Sequence, residues 1–454
     1  MLSYLFNNII LITAILIISI VVYYSWKISK RIFSIPVLVD FVFFFILIKI
    51  FLYIIVPYLL GLFNGNKLLR EDEIPFSSFI LIHLIELVSW IFWSLAFVLT
   101  GLFFLKKNKQ FVIKNEYFLT NKTKENLFYL AFCAIGFIII RLFNLLKVEP
   151  PIYLEVFKSL FFYVGLTSGP FLVVMANKFG KRYLLLLGIF STIFSLLSLS
   201  TKGSIIYLTI YFIFLIWHLS KSPIAKKYFL NLLFVVTFFF ILFGTFANFS
   251  INIDENGNAI FEVKNHFDKS SERSLIEEVE WRLGASMRNG TGFIKMYDRG
   301  ELAGINPIRN SFLGLLPRSL NDDKPIPSTL NGNDIYSQGM YLVWREIHGY
   351  NTYTMVEFPT GAHFYWEFGW LGVLVLSSIS GLYVGICVNY FGKIGFFSVP
   401  LLLGIFKPWG FVEPKIWVSD IVLQIYQIIL PLFFLILLFK ITYSFKKYIL
   451  KIVT

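Results

Sequence analysis

Apolar residues in this chain come in uninterrupted runs of roughly 20, joined by short polar connections. The runs stand at about 4–25, 34–60, 77–105, 127–146, 152–176, 183–200, 204–219 and 229–247, then at about 364–391, 395–411 and 421–443. A helix needs roughly 20 apolar residues to cross ~30 Å of hydrocarbon, so each run predicts a membrane-spanning helix. The pattern predicts an all-α polytopic membrane protein of about eleven transmembrane helices with one large, partly helical extracytoplasmic loop. Residues 1–247 hold about eight spans, 248–363 form the loop, and 364–454 hold about three. The loop is the only long polar segment, and long loops usually carry function.

Composition supports the membrane reading. The 454 residues are 57% hydrophobic, 19% aromatic and only 15% charged, with a mean hydropathy of +0.73. No soluble domain keeps that much apolar surface from water. The net charge of +13 raises nucleic acid as a partner, but its distribution argues against one. Residues 248–365 carry 11 Lys/Arg against 15 Asp/Glu, which leaves +17 for the remainder. That excess falls in short connections: Lys27, Lys30 and Arg31; Lys106, Lys107 and Lys109; Lys178, Lys181 and Arg182; Lys221, Lys226 and Lys227; Lys393; Lys446 and Lys447. Alternating sides from the first cluster puts all of them on the cytoplasmic face, with the loop outside and the C-terminus inside. Arg141, Lys147, Lys202, Lys407 and Lys415 then fall at the outer face, where they either meet an anion or snorkel to lipid headgroups. The first run has no basic residues before it and reads as a retained helix rather than a signal peptide.

Ionisable residues inside the spans are few. Lys49 lies in the second run; His83 and Glu86 lie three apart, on one face of the third. Lys49 and Glu86 fall at similar depth, which predicts a structural ion pair between adjacent helices. Cys133 and Cys387 sit within apolar runs as packing residues. In the loop, Leu275, Ile276, Val279 and Leu283 recur at helical spacing behind early acids, an amphipathic helix running toward Arg288. Beyond it, Gly290, Gly292, Gly300, Gly304, Pro307, Pro317, Pro325 and Pro327 predict short, broken pieces. Interleaved Trp and Tyr suit either sugar rings or an interfacial belt. Phosphate-loop, dinucleotide, zinc-protease and nucleophile-elbow motifs are missing, and the five histidines are scattered, so neither cofactor nor metal is expected. No paired halves with broken helices stand out, which weakens a transporter reading.

Three stretches remain. Residues 197–205, S-L-S-T-K-G-S-I-I, turn between two spans with Lys202 at the turn. Residues 306–325 carry Arg309, then Pro317-Arg318, then Lys324-Pro325. Residues 358–374, F-P-T-G-A-H-F-Y-W-E-F-G-W-L-G-V-L, lead from the loop into the next span through Pro359-Thr360 and Phe368-Gly369-x-x-Gly372. In order and placement these resemble the oligosaccharide repeat-unit polymerases of bacterial surface-polysaccharide assembly, the Wzy or O-antigen polymerase family.

The resemblance implies a glycosyltransferase in the bacterial cytoplasmic membrane. Such an enzyme moves a growing glycan from its undecaprenyl-diphosphate carrier onto the next lipid-linked repeat unit, at the outer face. Its implied partners are undecaprenyl-diphosphate-linked oligosaccharides, the bilayer, a chain-length regulator and a flippase, with no nucleic acid. A departing diphosphate needs charge stabilisation, so Lys202, Arg282, Arg288, Arg309, Arg318 and Lys324 are the expected substrate-binding residues. His363 and Glu367 are the candidate catalytic residues, either one a base for the acceptor hydroxyl. A ligase-like transfer to another acceptor and a lipid-linked oligosaccharide flippase remain as alternatives.

Overall fold

The computed structural model describes residues 2–33, 36–55, 76–108, 121–146, 148, 151–179, 181–198, 202–219, 247–253, 259–265, 287, 289–315, 359–392, 398–406 and 414–439. These are predominantly helical: α1 (Leu2–Ile32), α2 (Pro36–Ile50), α3 (Phe76–Asn108), α4 (Asn121–Leu145), α5 (Ile152–Phe179), α6 (Arg182–Ser198), α7 (Lys202–Leu219), α8 (Asn306–Leu315), α9 (Thr360–Phe391), α10 (Ser398–Ile405) and α11 (Val418–Gln424). One wide turn, Phe51–Ile55, extends α2, and another, Ile425–Ile429, carries α11 into a helical run ending at 439. Five stretches are long and apolar enough to cross a membrane: Ile9–Ile32, Ile80–Phe104, Phe157–Ala176, Thr360–Phe391 and Asp420–Phe439. Their outward faces carry large exposed apolar side chains such as Leu16, Leu99, Phe103, Leu371 and Phe433, a surface suited to lipid. This is the architecture of a multi-pass membrane protein. The expected 229–247 span lies outside the described residues, apart from its last residue.

Small residues set the helix packing. A Cβ at Gly381 of α9 would fall on the Trp93 carbonyl of α3, and one at Gly385 would meet Thr100. Ser89 and Ser377 exchange a 2.6 Å hydrogen bond across the same seam. Close backbone approach is how membrane helices gain contact where lipid offers no hydrophobic driving force. The contacts ascend together along both chains, so α3 and this part of α9 run in the same direction. Gly101 of α3 meets Ile32 and Phe33, so the Lys30–Arg31 end of α1 joins the C-terminal end of α3. On the other flank α5 and α6 form a close hairpin in which Gly169 approaches Thr192 and Gly188 approaches Val173. Pro170 inside α5 has no N–H to donate to the Leu166 carbonyl, and the Ser195 hydroxyl donates to that oxygen instead at 2.9 Å.

One expectation changes. The 364–391 span is not one straight helix: Phe368 (φ −143°) and Gly369 (φ 62°, ψ −146°) leave helical geometry and split α9. Residues 360–367 fold back on the rest, because a Cβ at Gly372 would fall on the carbonyl oxygen of Phe364. In a straight helix those residues would stand about 12 Å apart. Likewise Ser89 lies against both Gly361 and Ser377. Thus α9 is a half-helix, 360–367, packed antiparallel on a crossing leg, 370–391, of about 33 Å.

Of the expected 395–411 span, residues 398–406 are described; they hold the eight-residue helix α10, all of it buried. The insert, expected to be partly helical, also carries a strand pair. Strands β1 (Ala247–Ile253) and β2 (Ala259–Asn265) pair antiparallel, matching Phe249 with Val263 and Ile251 with Phe261. Their alternating sequence fits a strand period of two.

The half-helix makes a prediction. Gly369 supplies the left-handed backbone of the corner, and Gly372 admits the Phe364 carbonyl. Gly372→Ala should therefore destabilise the protein by about 1–3 kcal/mol. Thermal unfolding in detergent checks it, with Gly392→Ala at the helix end as the control expected to change little.

Candidate functional site

The half-helix is held at both ends, and its holders define the site. Its N-terminus lies about 12 Å below the Gly369 corner, measured along the helix. There the Gly361 N–H donates to Glu86 Oε1 of α3. An anion at a helix N-terminus satisfies orphan N–H groups and complements the dipole. At the other end, the Ala303 and Gly304 N–H groups donate to the carbonyls of Trp366 and Glu367 at 3.2 and 3.1 Å. The Trp366 indole N–H donates to the Glu301 carbonyl at 2.7 Å. The loop after Gly300 therefore caps the carbonyl end of the half-helix.

Glu86 also ties down a second irregular segment. Lys415 Nζ lies 2.5 Å from Glu86 Oε2, with Lys415 fully buried and Glu86 nearly so. The Lys415 ammonium also stands 4.3 Å from the centre of the Trp90 ring, a favourable cation–π position. Residues 414–417 are not helical. Their backbone is satisfied by side chains: the Ser380 hydroxyl accepts from the Ile416 N–H at 2.6 Å, and the Thr360 hydroxyl donates to the Lys415 carbonyl at 3.4 Å. Irregular backbone at this depth is tolerated only where protein buries it. The predicted cation for Glu86 was Lys49. Lys49 is buried on α2, but the cation on Glu86 Oε2 is Lys415, and Gly361 takes Oε1.

His363 and Glu367, one turn apart on the half-helix, are brought together. His363 Nδ1 lies 2.7 Å from Glu367 Oε1, and both side chains are buried. The His363 ring is stacked on Trp417 at 4.6 Å and 8°. Phe293 and Trp366 meet it edge-on, at 5.7 and 5.6 Å. Phe293 belongs to a helical run, 289–298, that lies alongside the half-helix in the same direction: Gly290 meets Pro359, and Tyr297 meets Gly369. Gly290 and Gly292 were expected to break the chain here. They sit inside the helix, because Gly290 lets it close on Ile82 and Pro359. Gly300 and Gly304, with φ of 78° and 55°, do make turns. Pro307 occupies the first turn of α8, where its missing N–H costs nothing.

The two atoms stand at ion-pair distance with no hydrogen bond aligned between them. A small rotation of either side chain would place an Nδ1–H on the carboxylate and leave Nε2 to accept a proton, the arrangement a general base and its orienting partner need. Glu367 Oε2 is buried with no hydrogen-bond donor on it among the described residues, an acceptor suited to a hydroxyl.

Of the expected cations, Arg309 is exposed on α8, and Lys202 is placed only by its backbone, at the first position of α7. Arg282, Arg288, Arg318 and Lys324 lie outside the described residues, as do Lys147, Lys407 and most of the 275–288 helix. Arg141 stands over the ring of Phe162 at 4.7 Å. Among the described residues no three of His, Cys, Asp and Glu gather as a metal site. Sequence reasoning missed Trp417, Trp366 and Phe293 as walls around His363. The signal for Trp417 was its place two residues after Lys415, a lysine singled out at the outer face. Compared with protein-family models, with curated proteins and with solved structures, the chain matches none of them.

Proposed function

We propose that this protein polymerises undecaprenyl-diphosphate-linked oligosaccharide repeat units at the outer face of the bacterial cytoplasmic membrane. The observation that carries the reading is the buried His363–Glu367 pair beside the corner of a broken helix. In the proposed reaction an acceptor hydroxyl attacks the anomeric carbon of the lipid-linked glycan. The bond from that carbon to the diphosphate oxygen breaks, and the electron pair leaves with undecaprenyl diphosphate. The hydroxyl proton passes to Nε2 of His363, while Glu367 orients the ring. Glu367 Oε2 offers the acceptor sugar a second hydrogen-bond point. The diphosphate is a good leaving group, so its growing charge, rather than its protonation, is what needs stabilising.

Arg282, Arg309, Arg318 and Lys202 remain the proposed holders of that charge. Each alanine variant should lose roughly a hundredfold in polymer formation, about 3 kcal/mol of transition-state stabilisation, at matched membrane abundance. Arg318→Lys should be only partly tolerated if the contact is bidentate. Gel analysis of surface glycan checks it, and near-normal polymer in all four alanine variants would remove these residues from the site.

A second reading draws support from one observation. A discontinuous helix with its N-terminus at depth, facing an irregular segment, is also how transporters build substrate sites. Translocation of a lipid-linked oligosaccharide without new glycosidic bonds is the result that would favour it. Analysis of a deletion strain separates the two: single repeat units on the surface lipid favour a polymerase.

A further inference from the structure

We infer that Glu86 is a positioning residue of the site: its one carboxylate sets the register in which His363 meets Trp417. This rests on His363 being the base in the proposed reaction. The argument starts from spacing. Gly361, which donates to Oε1, lies two residues before His363; Lys415, which binds Oε2, lies two residues before Trp417. The two rings so delivered are nearly parallel and in contact. Glu86 is thus the shared origin for the half-helix, the irregular 414–417 segment and α3.

The leverage is large. A slip of one residue at Gly361 would move His363 about 1.5 Å along the helix axis and about 100° around it. A slip of one residue at Lys415 would move Trp417 by up to about 3.8 Å, the spacing of consecutive Cα atoms. A misplacement of about 1 Å at a reacting group can cost a hundredfold in rate. The 414–417 segment is irregular, and Gly361 lies in the first turn of the half-helix, where backbone N–H groups have no intrahelical acceptor to fix them. An ion pair that only neutralised charge would need no bond to the Gly361 N–H. The position of Gly361 is also restricted, because a Cβ there would fall on Glu86 Oε1.

Two double variants separate positioning from charge balance, since both remove the buried pair. Glu86→Gln with Lys415→Met keeps an oxygen for the Gly361 N–H; Glu86→Leu with Lys415→Met does not. The first should hold kcat for polymer formation within about fivefold of wild type. The second should lose about a hundredfold in kcat with KM changed less than twofold, at equal abundance and unfolding temperature. A readout independent of glycan chemistry is modification of the purified protein by diethyl pyrocarbonate, located by mass spectrometry. His363 should react at the wild-type rate in the glutamine pair and change in rate at least tenfold in the leucine pair. His83, fully buried on α3, should stay protected in both. If the leucine pair does not accumulate, Glu86→Ala with Lys415→Met carries the same prediction. Equal turnover and equal His363 protection in the two pairs would overturn the inference. Wild-type protein that makes no polymer would overturn the proposed function instead, and the labelling would still decide the role of Glu86.

Discussion

Replacing His363 with glutamine should lower polymer formation by a factor of about 10²–10⁴, the usual contribution of a positioned general base. The expectation follows from three features of one ring. Its Nδ1 lies 2.7 Å from Glu367 Oε1, its face is fixed by Trp417, and its edges meet Phe293 and Trp366. Glutamine is similar in size, so packing should survive while the proton acceptor is lost. Glu367→Gln should also fall, by less: the ring stays in its aromatic surround but loses the carboxylate that selects its tautomer. Quantified glycan ladders at matched protein abundance measure both. A Glu367 variant more damaged than the His363 variant would exchange the roles of the two residues.

The largest effect on stability should come from Lys415→Met. It leaves the buried Glu86 carboxylate without its cation, with the Gly361 N–H still on Oε1. Removing one partner of a buried pair costs about 3–5 kcal/mol, whereas replacing both is often close to neutral. Lys415→Met together with Glu86→Gln should therefore recover most of the loss. Thermal or denaturant unfolding in detergent gives the coupling directly. Strictly additive losses would mean that the two charges do not compensate each other.

How much of this was legible in the sequence depends on range. Runs of apolar residues gave the helices well, as α3 and α5 illustrate, since span length is a local property. The His363–Glu367 pair was also within reach, because residues four apart on a helix share a face. The break inside α9 was not. Residues 364–391 are apolar apart from Glu367, three serines and Asn389, and a Phe-Gly pair within such a run is equally compatible with a straight helix. Only the close approach of Gly372 to the Phe364 carbonyl distinguishes the hairpin. The true partner of Glu86 was hidden for another reason. Lys415 is 329 residues away in sequence, and the alternation of spans puts it at the outer face, against an anion or a lipid headgroup, rather than beside Glu86. Depth matching points to Lys49 because it treats every helix as straight. It has no way to place an irregular segment inside the protein. The strands β1 and β2 were missed because seven alternating residues are a weak signal next to a long apolar run.

The most direct test is a reconstitution. Wild-type protein and the His363→Gln variant are placed in liposomes with a purified undecaprenyl-diphosphate-linked repeat unit, and products are resolved by chain length. The account predicts a ladder of lengths, with release of undecaprenyl diphosphate, from wild type and almost none from the variant. Movement of the lipid-linked unit across the bilayer with no new glycosidic bond, or a full ladder from His363→Gln, would contradict it.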